Sequence, residues 1–111
     1  MVKSGPAKKL CIYVDETDKA GAKPVYEALM DLFFSNKISG VSVFRGVAGY
    51  GNDGVLHTSK MLELSTNLPV KIEVVDSEEM INKVLPAVRE LVGRGLIEVS
   101  DTNVVKCCGG K

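Results

Sequence analysis

Two short stretches of this chain carry residue types that bind anions. The first is Arg45-Gly46-Val47-Ala48-Gly49-Tyr50-Gly51-Asn52-Asp53-Gly54, with four glycines in ten residues. Glycine tolerates φ > 0 and lets another group approach the backbone closely, so such a loop can wrap a ligand or a partner. Arg45 at its base suits two tasks equally: anchoring a phosphate, or holding the loop base through an ion pair. The second stretch is Gly93-Arg94-Gly95, a guanidinium between two unhindered amides. That grouping can grip a phosphate. Its plainer reading is an exposed arginine near a helix C-terminus beside a glycine cap. The glycine loop is not a P-loop, because no Gly-Lys-Ser/Thr follows it.

Other reactive residue types stand alone. His57 is the single histidine, and a lone loop histidine is more often a structural hydrogen-bonder than a ligand or base. Cys107 and Cys108 are adjacent; they suit a soft metal or a redox response, or else simply a polar tail. Asp15, Glu16 and Asp18 have no spaced carboxylate partner, so they suggest no acid–base pair. No Ser-His-Asp or Cys-His arrangement is visible. The reading is therefore of a binding protein with no catalytic residues and no metal site.

The elements that must position these stretches follow from hydrophobic spacing. The chain has 111 residues, enough for one domain with one core. It is 45% hydrophobic and 25% charged, with a formal net charge of zero. That balance argues against nucleic acid as the main partner, which demands a basic surplus. No apolar run approaches the ~20 residues of a membrane span. The first residues lack the apolar core of a signal peptide. The three cysteines fit a reducing compartment. The expected location is the cytoplasm.

Residues 1–7 read as a flexible tail, 8–106 as a single domain and 107–111 as a second tail. Lys9 to Asp15 alternates as a strand, and Glu16 to Ala22 is loop. Pro24 suits the first turn of a helix that carries Val25, Ala28, Leu29, Leu32 and Phe33 at helical spacing. Val41 to Phe44 is a second strand. Thr58 to Leu64 fits strand or short helix. Val70 to Val75 is a third strand, and Asp76 with Glu79 resembles a capping box. Ile81, Val84, Leu85, Val88, Leu91 and Val92 form the apolar stripe of a second helix. Pro86 within it predicts a kink or an early-turn position. Leu96 to Val99 is a fourth strand, with Val104-Val105 as a short fifth.

The order βαββαβ predicts an α+β, ferredoxin-like sandwich: one antiparallel sheet with two helices on one face. Tyr13, Val43, Val75 and Val99 are expected on the other face, which favours an oligomer that covers it.

Several motifs add a family resemblance. Leu68 to Val75 and the acidic helix start after it look like the third strand of PII nitrogen-regulatory signalling proteins. Gly93-Arg94-Gly95-Leu96-Ile97 resembles the PII loop Gly-Asp-Gly-Lys-Ile. Asp101 to Lys106 is similar to the PII segment that ends in a phosphate-binding arginine. Gly49-Tyr50-Gly51 looks like the Gly-Phe-Gly that opens the PII signalling loop. From Lys9 to Lys106 the chain resembles the compact, largely uncharacterised PII-like family of prokaryotes. Arg45 to Gly51 and His57-Thr58 match that family's Arg-Gly-x-Ala-Gly-aromatic-Gly and His-Thr pattern.

The resemblance implies a homotrimer with adenine nucleotide in the clefts between subunits. It places Arg45, Gly46, Gly49, Tyr50, Gly51, Gly93, Arg94, Gly95 and Lys106 at the nucleotide. Lys106 stands there as a point charge in place of the PII arginine. Leu96 replaces the PII phosphate lysine, so AMP or ADP is expected to be favoured over ATP. The entropy of the loop glycines predicts that much of Gly49 to His57 gains order with ligand; the loop from Gly46 to Thr58 is expected to change conformation and to dock a target protein, a membrane transporter being one class. The PII loop glutamine and the uridylylated tyrosine have no counterpart here. Sensing of 2-oxoglutarate and regulation of nitrogen assimilation therefore do not carry over. Two other functions fit the architecture: a metal- or ion-tolerance trimer, and a small enzyme acting on a nucleotide.

Overall fold

The computed structural model describes residues 2–51, 57–58 and 67–108, with the backbone alone at 57–58. Asn52, Asp53 and Gly54 of the glycine loop, and all of the Thr58–Leu64 stretch beyond Thr58, lie outside the described residues.

Four strands form one antiparallel sheet: β1 (Gly5–Asp15), β4 (Val41–Arg45), β7 (Pro69–Asp76) and β8 (Leu96–Val104), in the spatial order β4-β7-β1-β8. Two small hairpins hang from it. Lys19–Ala20 (β2) pairs with Lys23–Pro24 (β3), and Ala48–Gly49 (β5) pairs with His57–Thr58 (β6). The helices are α1 (Val25–Ser35) and α2 (Glu78–Leu91). This is the ferredoxin-like α+β sandwich that the element order predicts, with both helices packed into one core.

Register decides which face each side chain takes, because successive residues of a strand point to opposite sides. Ile12 stands between Ile72 and Ile97, and Leu10 between Val74 and Val99. These residues face the helices, where Leu29 and Phe33 of α1 and Ile81, Val84 and Val88 of α2 meet them. Leu10, Ile12, Leu29 and Ile72 are fully buried, each contributing roughly 1.5–3 kcal/mol of hydrophobic stabilisation.

The opposite face is more polar than the sequence reading expects. Tyr13 and Val75 are there, but Val43 pairs with Ile72 and Val99 with Leu10, so both belong to the helix side. In their register positions the open face carries Ser42, Phe44, Lys71, Glu73, Glu98 and Ser100. Alternation within a strand does not fix which face each parity takes; the pairing of Val43 with Ile72 and of Val99 with Leu10 does.

Element boundaries shift for identifiable reasons. β1 begins at Gly5, within the expected tail, because residues 5–8 pair with β8. Val2 is buried as well, its amide donating to Ser39 Oγ at 2.6 Å. β8 runs unbroken from Leu96 to Val104, so the expected fourth and fifth strands are one. The cap of α2 is Ser77, which accepts from the Met80 amide at 3.2 Å. Asp76 is instead buried and accepts from the amides of Ser39 (2.9 Å) and Ser77 (2.7 Å). Pro24 precedes α1 as its N-cap residue. Pro86 lies well inside α2, beyond its early turns. Its missing N–H faces Asn82, one turn back on an exposed surface, where water can serve the freed carbonyl.

Gly95 joins α2 to the sheet at φ +144°, and a Cβ there would collide with the Tyr13 carbonyl oxygen. At Gly93 a Cβ would meet nothing within 4 Å. Gly95→Ala should therefore lower unfolding free energy by at least about 2 kcal/mol, through backbone strain and overlap. Gly93→Ala should stay within about 0.5 kcal/mol of the parent. Urea denaturation of both variants checks this; equal midpoints would contradict it.

Candidate functional site

One end of the sheet gathers four strand ends: the end of β1 at Asp15, the end of β4 at Arg45, the start of β7 at Pro69 and the start of β8 at Leu96. Antiparallel pairing puts them together, with Arg45 opposite Val70 and Tyr13 opposite Leu96. A cleft of about 760 Å³ opens there. Arg45, Gly46, Gly49, Tyr50 and Gly51 line one side, and Arg94 and Gly95 line the other. Two arginine-bearing stretches nearly fifty residues apart in sequence thus share one cavity.

Two of the predicted residues stand elsewhere. Gly93 borders a shallow groove between α1 and α2. Lys106 follows the far end of β8. That strand spans nine residues from the cleft, roughly 30 Å of extended chain. Lys106 cannot reach the cleft of its own chain.

The loop glycines have a local cause. The Gly46 amide donates to the Pro69 carbonyl at 2.7 Å. A Cβ on Gly46 would sit 2.8 Å from Pro69 Cγ, and one on Gly49 would sit 3.1 Å from it. The loop folds directly across the Pro69 ring, and only small residues fit. Gly51 has open space around it.

Both arginines are held by the turn that follows β1. Arg45 reaches Glu16 with two nitrogens, Nε at 2.9 Å from Oε2 and a terminal nitrogen at 3.1 Å from Oε1. This forked geometry is the stronger form of carboxylate recognition. Glu16 Oε1 also accepts from the Leu68 amide at 3.4 Å. Arg94 lies 3.3 Å from Asp18 Oδ1. Asp18 Oδ2 accepts from the Asp15 amide at 3.0 Å, which closes the turn on itself. Of the two tasks open to Arg45, the ion pair is the one seen. Glu16 and Asp18, given no role from sequence, are the partners of both arginines; the signal was their place directly after a strand that ends in the cleft.

The remaining walls are aromatic and apolar. Tyr50 is 75% exposed, Phe44 52% and Leu96 54%, so flat and greasy surface borders the arginines. Lys71 lies 3.3 Å from Glu73 and 5.9 Å above the centre of the Tyr13 ring. The hydrogen bond to Glu73 raises the Lys71 pKa above its ordinary value, so this ammonium stays charged at neutral pH. Next to it, burial pushes the Cys11 thiol up, which leaves it a poor nucleophile. Among the described residues no three His, Cys, Asp or Glu side chains are grouped to hold a metal ion. Cys107 and Cys108 lie beyond β8 with their sulfurs in contact. No described helix is long and apolar enough to cross a membrane.

A guanidinium pair beside exposed rings suits a ligand with an anionic end and a flat end. Arginine forks take phosphate or carboxylate oxygens, and aromatic faces take a planar ring.

Comparison with known proteins gives the family and the fold. Residues 7–104 match the DUF190 family, described as uncharacterized ACR, COG1993. The UPF0166 protein MJ1524 of Methanocaldococcus jannaschii is 44% identical over 101 residues, covering 90% of this chain and 93% of that one. A UPF0166 protein of Aquifex aeolicus is 34% identical over 100 residues, covering 88% and 92%. Among solved structures, CPII of Thiomonas intermedia K12 is a nitrogen regulatory PII-like protein bound to ADP, AMP and bicarbonate. It superposes with a TM-score of 0.72 at 20% identity, covering 96% of this chain and 94% of its own. The fold is that of the PII-like proteins, and the chain belongs to the DUF190 family.

Proposed function

We propose that this protein is a cytoplasmic, non-enzymatic regulator that binds an adenine nucleotide in the cleft between Arg45 and Arg94. The observation that carries this reading is the convergence of both arginines with the exposed Tyr50 ring on one cavity. The guanidiniums take the phosphate oxygens. Gly51, with open space around it, lets the ligand approach the backbone, and Tyr50 offers a face to the base. The adenine nucleotides bound to CPII, which shares the fold, support the choice of ligand.

The assembly is a homotrimer. The sheet leaves one face uncovered, and β4 and β8 are its edges. Lys106 points to the same conclusion, because it joins a nucleotide site only when another copy supplies it. The glycine loop, Gly46 to Thr58, is the element that docks a target protein. Its first hydrogen bond, from Gly46 to Pro69, sits directly beside Arg45. A ligand that binds one arrangement of that base better than another shifts the loop.

Arg94→Ala should weaken AMP and ADP binding by about 10- to 100-fold, the loss expected for a hydrogen bond to a charged group. AMP or ADP should bind at least as tightly as ATP, because Leu96 offers no cation to a further phosphate. Calorimetric titration tests both; unchanged binding in the variant removes Arg94 from the site. In light scattering the protein should run at three chain masses at micromolar concentration, and a monomer mass would refute the assembly. Bound nucleotide should remain intact. Turnover above about one per minute, abolished by a cleft mutation and retained on repurification, would make the protein an enzyme, although slow against the usual 1–1000 per second.

A further inference from the structure

Each cation that lines the cleft is already ion-paired. Arg45 is held by Glu16, Arg94 by Asp18 and Lys71 by Glu73. An entering anion meets no free positive charge among the described residues. It must take a cation from a carboxylate, and that carboxylate then adds repulsion. The two arginine partners are also fixed in place. Glu16 is anchored by the Leu68 amide and Asp18 by the Asp15 amide. Their side chains are 21% and 17% exposed, against 52% and 68% for Arg45 and Arg94. The arginines are the more exposed members of each pair, and the carboxylates are held by backbone amides.

From this geometry we infer that Glu16 and Asp18 set the affinity of the cleft for anions, acting as built-in competitors for its arginines. The inference rests on the cleft being an anion site, as in the proposed function, but names what tunes it. Its consequence is selectivity by charge. A ligand with one negative charge only replaces one carboxylate at one arginine. A ligand with two or more charges on one phosphate chain can displace both competitors and gains accordingly. Glu16 has a further effect. The same carboxylate holds Arg45 and the Leu68 amide, so an anion that draws Arg45 away breaks its tie to the end of β4 beside the Gly46–Pro69 contact, while the Leu68 side stays held.

The test uses the full chain and two probes, inorganic pyrophosphate and ADP. Asp18→Asn keeps an oxygen for the Asp15 amide and removes the charge, and Glu16→Gln does the same toward Leu68. Each should tighten pyrophosphate binding roughly two- to fivefold, the weight of a partly exposed ion pair. Asp31→Asn, outside the cleft, should leave it unchanged, because salt screens charges beyond about 8 Å. In an Arg94→Ala background, Asp18→Asn should give no tightening, since no arginine remains to be freed. ADP bound by the wild type but no more tightly by Asp18→Asn or Glu16→Gln overturns the competitor role and leaves the nucleotide reading intact. Tightening that persists without Arg94 also overturns it. Variants that take up pyrophosphate better than the wild type, while no form binds an adenine nucleotide, uphold the competitor role and refute the nucleotide reading. Failure of every form to bind either probe overturns both.

Discussion

The Glu16 carboxylate is the constraint on which the functional end of this molecule depends. It follows the last residue of β1 and meets two other segments there: β4 through the forked contact with Arg45, and the approach to β7 through the Leu68 amide. Its own amide donates to the Leu68 carbonyl at 2.9 Å, extending the β1–β7 ladder by one step. The β4–β7 ladder already sets Arg45 beside Val70 and Gly46 beside Pro69, and the carboxylate ties the end of β1 to both. The cleft exists because these ends are tied side by side. Asp18 repeats the arrangement two residues later for the segment that enters β8. One acidic turn thus organises the cavity and at the same time occupies its two arginines.

The sheet supplies rigidity behind that turn. Its helix side is a continuous apolar layer in which register, rather than composition alone, sorts the residues. Its other side is mixed: Phe44 and Leu96 near the cleft, then Lys71, Glu73, Glu98 and Ser100. In the proposed assembly, a surface of that kind would associate through matched charges and a limited apolar centre, not through a core cut in half. Buried Cys11, donating to Glu73 at 3.9 Å, lies at the middle of this face, so its protection already begins within one chain.

Much of the fold was legible from the residues because period and punctuation agreed. Alternation in Leu10–Val14 and Val70–Val74, helical spacing in Val25–Phe33 and Ile81–Val92, and Gly95 after α2 all pointed to one architecture. Three features were not legible. Parity on the open face needs the pairing partner of each strand, which Val43 and Val99 do not reveal by themselves. The start of β1 among Gly5 and Pro6, residues that usually disfavour strands, is set by pairing with β8. The roles of Glu16 and Asp18 arise from contacts across 29 and 76 residues, beyond any local pattern. The arginines were visible as anion binders, but their resting partners appear only once the strand ends are brought together. The motif resemblance gathered Gly93 and Lys106 with the cleft residues; within one chain the geometry separates them.

In the proposed function, anionic nucleotide enters at the acidic turn between Arg45 and Arg94. The most direct measurement is a backbone amide NMR titration of the wild-type protein with ADP. The largest shifts should fall on Asp15 to Asp18, Gly46, Leu68, Arg94 and Gly95, with Lys19, Lys23 and Asp31 beside the α1–α2 groove little changed. Shifts centred on that groove, with the Glu16 and Asp18 amides unmoved at saturating ADP, would contradict it.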